Sequence, residues 1–67
     1  MKKITLTERQ EQVLKLIAEG YNDTEIAHNL ECTVANIRSI SDRIIYKFQA
    51  NNRPNLIYKA LKRGLIK

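Results

Sequence analysis

The segment 22–48 constrains the fold most, because it pairs two helical patterns across a very short break. Asn22 and Glu25 open the first pattern with the spacing of a capping box, in which each side chain bonds the other residue's backbone N–H. The apolar residues that follow recur at helical spacing: Ile26, Ala27 and Leu30. Two residues then break the pattern, and Thr33 caps a longer helix of about 34–48. The segment therefore predicts a helix-turn-helix.

Two further helical patterns flank this segment. Thr7 and Gln10 have capping-box spacing at the start of a first helix, and Gly20 fits the left-handed position beyond its end. Pro54 suits the first turn of a last helix over about 53–63. The inner stripes of the four helices predict an apolar core: Val13, Leu14, Ile17, Ile26, Ala27, Leu30, Ile37, Ile44, Phe48, Leu56, Ile57, Ala60 and Leu61. We therefore predict an all-α, four-helix bundle forming a single domain of residues 1–67, with its core over about 6–66.

The composition argues against several kinds of function. Cys32 is the only cysteine and His28 the only histidine, so the chain offers no internal disulfide and no cysteine-based metal site. The two glycines stand alone, which excludes a phosphate-binding glycine loop. No apolar run approaches the roughly 20 residues of a membrane span, and the Met-Lys-Lys start lacks a signal peptide's apolar segment. We expect no enzyme activity, no cofactor, no membrane association and a cytoplasmic location.

Positive charge is concentrated in the second half of the chain. Residues 1–33 carry four basic and six acidic side chains, a net charge of −2. Residues 34–67 carry eight basic side chains and a single acid, Asp42, a net charge of +7. Such a one-sided field steers a domain toward polyanions. Because the basic residues lie along predicted helices, double-stranded DNA is the leading partner, with the second helix of the helix-turn-helix in its major groove.

Short fragments spread over nearly the whole chain carry a family likeness. They lie in one ungapped register: Leu6-Thr7-Glu8-Arg9, Val13-Leu14, Leu16-Ile17-Ala18, Gly20, Glu25-Ile26-Ala27, Leu30, Asn52-Arg53, Ala60 and Gly64-Leu65-Ile66. Together they resemble the LuxR/GerE-type DNA-binding domain of bacterial transcription regulators. The departures from the family pattern are Gln10, where a glutamate is usual, and several residues of helix three, the predicted helix of about 34–48. Ile40 replaces a common histidine there, and Asp42 replaces a polar or basic residue.

Three residues of helix three are predicted to read bases. Arg38, Ser39 and Asp42 share or border the face opposite the buried stripe. Arg38 has the planar fork that pairs with guanine O6 and N7. Asp42 leaves alternatives open: it pairs with Arg38 four residues away, accepts from cytosine N4, or is simply a solvated residue.

Contacts to the DNA backbone need only a cation or a small donor at the right place. The resemblance implies a set of such anchors: Thr24, Thr33, Asn36, Arg43 and Lys47. Lys47 is the best of them. Tyr21 and Tyr46 could add hydroxyl contacts, but half-buried packing on the bundle is the favoured expectation for both.

Helix four is a common dimer surface in the family the chain resembles. Here it offers Ile57, Tyr58 and Leu61, which a weak homodimer would cover; the alternative is that all three pack inside a monomer. Control is expected from expression level, a protein partner or a missing regulatory domain. The sequence thus favours a sequence-specific DNA-binding transcription regulator. The alternative is a protein-interaction module of the same fold, binding a regulator or a transcription component.

Overall fold

The computed structural model describes residues 4–66 as four helices with no strand among them. Their bounds are given in chain order: α1 Glu8–Ala18, α2 Asp23–Asn29, α3 Val34–Phe48 and α4 Arg53–Lys62. The all-α prediction is confirmed, and the predicted bounds of α3 match those observed. Residues 1–3 and 67, the two ends of the predicted domain, lie outside the described part of the chain.

The helices begin where polar side chains accept backbone N–H groups. Thr7 and Gln10 exchange bonds of 3.1 and 3.0 Å at α1, and Asn22 and Glu25 exchange bonds of 2.8 and 2.9 Å at α2. Both predicted capping boxes are therefore complete, each satisfying two otherwise free donors. Thr33 caps α3 with a single bond of 3.1 Å to a backbone N–H.

Left-handed backbone ends the helices and makes the turn within the helix-turn-helix. Gly20 and Gly64 have φ values of 96° and 73°, as predicted for the first of them, and neither carries a Cβ to oppose that conformation. Glu31, between α2 and α3, and Gln49, after α3, adopt φ of 55° despite their side chains. These two sharp turns set the directions in which α3 enters and leaves the bundle.

The core contains most of the predicted residues. Its buried apolar members come from all four helices and the tail: Val13, Leu14, Ile17, Ile26, Ala27, Ile37, Ile44, Phe48, Leu56, Ala60 and Ile66. Three predictions were wrong. Leu30 is only half-buried, because it caps the end of α2 beside the exposed turn. Ile57 is also half-buried and Leu61 is 47% exposed, because both lie toward the outer edge of α4.

The longest helix, α3, lies at the centre of the arrangement. It contacts all three other helices, and it packs most extensively against α2 and α1. Because one side of α3 is occupied by this packing, only the opposite side remains to meet a partner. Within residues 4–66, no helix combines the length and the apolar character needed to cross a membrane.

Candidate nucleic-acid interface

The outer face of α3 is a continuous exposed row of mainly polar and charged side chains. Its members share the side of the helix turned away from the bundle: Ala35, Asn36, Arg38, Ser39, Asp42, Arg43, Tyr46 and Lys47. The inner face holds the buried residues Ile37, Ser41, Ile44 and Phe48. This division follows from a period of 3.6 residues per turn, which returns the apolar positions to one side. The three predicted base-reading residues all lie on the exposed side.

Arg38 forms an ion pair with an acidic residue of α2. Its Nε lies 3.4 Å from Asp23 Oδ2, while its side chain stays 70% exposed. Within residues 4–66 the pairing of Arg38 with Asp42 does not occur, so that alternative was wrong. Arg38 pairs with Asp23 rather than with Asp42 because Asp23 is the first residue of α2, next to α3, and its partly buried carboxylate faces the arginine. At this exposure the pair contributes only about 0–1 kcal/mol, so Arg38 is easily released.

Asp23 also ties together three helices. Arg53, at the start of α4, places Nη2 2.6 Å from Asp23 Oδ1. The N–H is poorly aligned with that oxygen, so the contact is an ion pair rather than a directed hydrogen bond. The same Nη2 donates to the hydroxyl of Ser41 at 3.2 Å, and Ser41 is only 1% exposed. The sequence did not predict this cluster. Its only signal in the sequence was a serine, Ser41, within the otherwise apolar inner stripe of α3.

Lys47 is bound to the start of α1. Its Nζ donates to Gln10 Oε1 at 2.7 Å and to the backbone carbonyl oxygen of Thr5 at 2.9 Å. An ammonium has three donors, so one remains for a further acceptor. The ammonium of Lys47, predicted to contact the DNA backbone, is thus fixed at the edge of the exposed row.

Next to Lys47 is an open concavity of about 500 Å³, where α1 meets the last turns of α3. Its lining residues come from both helices: Thr7, Gln10, Asp42, Arg43, Tyr46 and Lys47. Tyr46 is 84% exposed, so the expectation that it packs half-buried on the bundle was wrong. Its position on α3 faces the same side as Asp42 and Arg43. Tyr21 is also exposed, though less so.

The remaining predicted backbone anchors lie near the starts of two helices. Thr24 is exposed in the first turn of α2, and Asn36 is exposed in the first turn of α3. Thr33 is exposed, and its Oγ accepts the N–H of Asn36, which leaves the hydroxyl hydrogen free to donate. Arg43 and Lys47 are at the opposite end of α3. The anchors therefore form two groups rather than one.

On α4 a second surface exposes apolar side chains. Tyr58 and Leu61 are exposed and Ile57 is half-buried, so the alternative of complete packing inside a monomer does not hold. The Lys62 ammonium lies 5.6 Å from the centre of the Tyr58 ring, within the range of a cation–π contact.

A helix-turn-helix domain with a basic second helix is thus defined by fold and surface together. Residues 4–60 match the family described as bacterial regulatory proteins, luxR family, and the chain belongs to that family. It is 34% identical over 62 residues to the transcriptional regulatory protein DesR of Bacillus subtilis, covering 92% of this chain and 31% of DesR. It is 35% identical over 63 residues to the response regulator Rre1 of Synechocystis, covering 94% of this chain and 27% of Rre1.

Solved structures of a LuxR-type receptor have the same fold. The VqmA dimer of Vibrio cholerae in the absence of target DNA superposes with a TM-score of 0.92 at 27% identity, over 97% of this chain and 30% of that one. The crystal structure of a VqmA–ligand–DNA complex gives a TM-score of 0.91 at 28% identity, over 97% and 29%. The chain therefore spans about three tenths of the length of the relatives it matches.

Proposed function

We propose that this chain is the DNA-binding domain of a bacterial transcription regulator, acting in the cytoplasm on duplex DNA. The exposed row of α3 carries the proposal: a solvent-facing set of arginines, lysine and small polar residues on the second helix of a helix-turn-helix. Membership of the luxR family supports it. A VqmA–ligand–DNA complex among the structural relatives adds to that support, since the two domains share a fold.

The length of α3 suits a groove. Asn36 and Lys47 are eleven positions apart, which corresponds to about 16 Å along the helix axis. The major groove is about 12 Å wide, so the two groups of anchors can reach the phosphates on either side of it. The base-reading residues Arg38, Ser39 and Asp42 lie between the two groups. Affinity would come from the ends of α3 and sequence selection from its middle.

Arg38 is the principal reader in this proposal. Its Nε is occupied by Asp23, but both Nη groups have no partner within residues 4–66. Those two groups form the fork that donates to guanine O6 and N7. Asp23 therefore contacts the guanidinium on its Nε side and leaves the two Nη groups free for a base.

The backbone contacts divide between α2 and the two ends of α3. Thr24, Thr33 and Asn36 supply small donors on one side of the groove, and Arg43 and Lys47 supply cations on the other. Tyr46 joins the second group, because its exposed side chain lines the same concavity as Arg43 and Lys47.

A second copy of the chain is the proposed partner at α4. Exposed Tyr58 and Leu61, with Ile57 at the edge, form a small apolar surface that a symmetric contact would cover. The structure of the VqmA dimer is a precedent in a relative of the same fold. Because the surface is small, the dimer would be weak and would form mainly on DNA. Control is proposed to come from a regulatory segment or partner, given that the relatives are about three times longer.

The test is a fluorescence anisotropy titration of the 67-residue chain against labelled random and genomic duplexes at several salt concentrations. The expected result is salt-sensitive binding to all duplexes, with a subset of genomic fragments bound markedly more tightly. Failure to bind any duplex at low salt would reject the proposal. That result would favour the alternative function, a protein-interaction module that binds a regulator or transcription component.

A further inference from the structure

Gln10 is a buried polar residue at the edge of the proposed interface, and its amide oxygen is fully used. Only 7% of the residue is exposed. Its Oε1 accepts the backbone N–H of Thr7 at 3.0 Å and the Lys47 ammonium at 2.7 Å. A carbonyl oxygen has two lone pairs, so these two donors saturate it. One atom therefore both closes the cap of α1 and fixes the amine of α3.

The ammonium of Lys47 is held without being neutralised. Both of its acceptors, the Gln10 amide and the Thr5 carbonyl, are uncharged. Within residues 4–66 the two ion pairs both involve Asp23, and no carboxylate lies within 4 Å of the Lys47 amine. Asp42 lines the same concavity but stays unpaired with Lys47. A full positive charge with one free N–H is thus fixed at the surface.

Stability of the helix does not require an amide at this position. Glutamate serves equally well as the third helical residue of a capping box, and the N-terminal end of the helix dipole favours its charge. Glutamate is also the usual residue where the sequence resembles its family. A carboxylate here would pair with Lys47 and cancel its charge, whereas the amide leaves that charge intact. The choice of Gln10 therefore affects the surface, not the cap.

We propose that Gln10 is a positioning residue for DNA binding, which fixes the Lys47 ammonium in place while leaving its charge available to a phosphate. The inference rests on the proposed function and adds to it a residue that touches no DNA. Gln10 acts through Lys47 in two separable ways. It leaves the charge unneutralised, and it restricts the motion of a long side chain before DNA arrives.

The charge effect is tested with Gln10→Glu against the matched control Gln12→Glu. Gln12 is exposed on the same helix, so both variants add one negative charge to the domain. Gln10→Glu should lower the slope of log affinity against log salt by about 0.9, equal to the loss of one phosphate contact. If the affinities of variant and parent coincide on extrapolation to 1 M salt, the affinity of Gln10→Glu at 0.1 M should be about eightfold below that of the parent. Gln12→Glu should leave the slope near that of the parent.

A thermal melt separates this effect from a structural one. Gln10→Glu should melt at or above the temperature of the parent, because the cap is kept and an ion pair is gained. Weaker DNA binding without any loss of stability is a result that a purely structural role cannot give. A variant that melts well below the parent would contradict the inference, because the introduced carboxylate would then lack its ammonium partner.

The positioning effect is tested with Gln10→Met, which removes the acceptor but adds no charge. Its salt slope should match that of the parent, while binding well below its melting temperature should weaken about twofold to tenfold, because Lys47 must then be ordered on binding. Parent-like affinity would overturn the positioning part. Equal slopes for Gln10→Glu and Gln12→Glu would overturn the charge part and leave the proposed function standing. A parent that binds no duplex at any salt would overturn both.

Discussion

Arg38 carries the sequence selectivity of the proposed interface, and two substitutions test it. Arg38→Ala should lose about 1–3 kcal/mol on the preferred site and much less on random DNA, because non-specific binding depends on the other cations. Arg38→Lys should restore charge but not the bidentate fork, and so recover only part of the selectivity. Competition titrations with specific and random duplexes measure the difference. An unchanged ratio of specific to random affinity in Arg38→Ala would remove α3 as the reading element.

Asp42 is the one acid on the exposed row of α3, and its two remaining roles predict opposite results. If its carboxylate accepts from cytosine N4, Asp42→Ala should lose discrimination at one base pair. If it is merely a repulsive neighbour of the phosphates, the same variant should bind every duplex more tightly. Affinities for a set of single-base variants of the preferred site decide between them. Thermal stability should hardly change in either case, because Asp42 is exposed and has no ion-pair partner within residues 4–66.

Lys47 should contribute alike to all sequences. Lys47→Ala should weaken binding to specific and random duplexes by the same factor and reduce the salt slope by about 0.9. Because the substitution also breaks the bonds to Gln10 and Thr5, the melting temperature should fall as well. Slopes must therefore be compared under conditions where both proteins are folded. A slope equal to that of the parent would place Lys47 outside the interface.

The sequence predicted which residues of α3 are exposed, but not which residues their side chains bond to. The exposure of Arg38, Ser39 and Asp42 follows from helical periodicity, which is a local property. The partner of Arg38 is fifteen positions away and that of Lys47 thirty-seven, so no local pattern indicates either. The pairing of Arg38 with Asp42 was the only short-range option, and tertiary packing supplied a better-placed acid in Asp23.

Among the helices, the boundary between α2 and α3 offers a direct test of packing. Ile37 is fully buried where α3 meets the core, so Ile37→Ala should cost about 2–5 kcal/mol and largely unfold so small a domain. Leu30 is half-buried at the end of α2, so Leu30→Ala should cost clearly less. Urea titrations followed by circular dichroism give both values. Equal losses for the two variants would show that the edge of the core is placed incorrectly.

Helix limits were predictable because their signals are local. The capping boxes of α1 and α2 each span four residues, the cap of α3 is the single side chain of Thr33, and Pro54 marks the first turn of α4. Burial near helix ends was less predictable. Leu30 and Leu61 fit the apolar spacing, yet each lies near the C-terminal end of its helix, at the edge of the core, where neighbouring residues do not cover it fully. Periodicity identifies the inner side of a helix but not how far the core extends along it.

For the molecule as a whole, we propose that the chain folds as one unit. The radius of gyration is 11.1 Å, close to the roughly 11 Å expected for a folded chain of this length. Because α3 contacts every other helix, no part of the core can open without exposing another. Thermal unfolding should be a single transition, with equal calorimetric and van't Hoff enthalpies. Two resolved transitions, or an excess of calorimetric enthalpy, would contradict a single domain.

Ser41 limits how this domain could be retargeted to a new DNA sequence. It lies between the predicted readers Ser39 and Asp42 in the chain, yet its hydroxyl is buried and accepts from Arg53. A combinatorial library that randomised α3 without interruption would consist mostly of proteins with a broken interhelical cluster. Selection from such a library would separate folded from unfolded variants before it separated variants by the DNA sequence that they bind. Diversity restricted to the exposed positions on either side of Ser41 leaves the scaffold constant, so that variants would differ only in the surface they present.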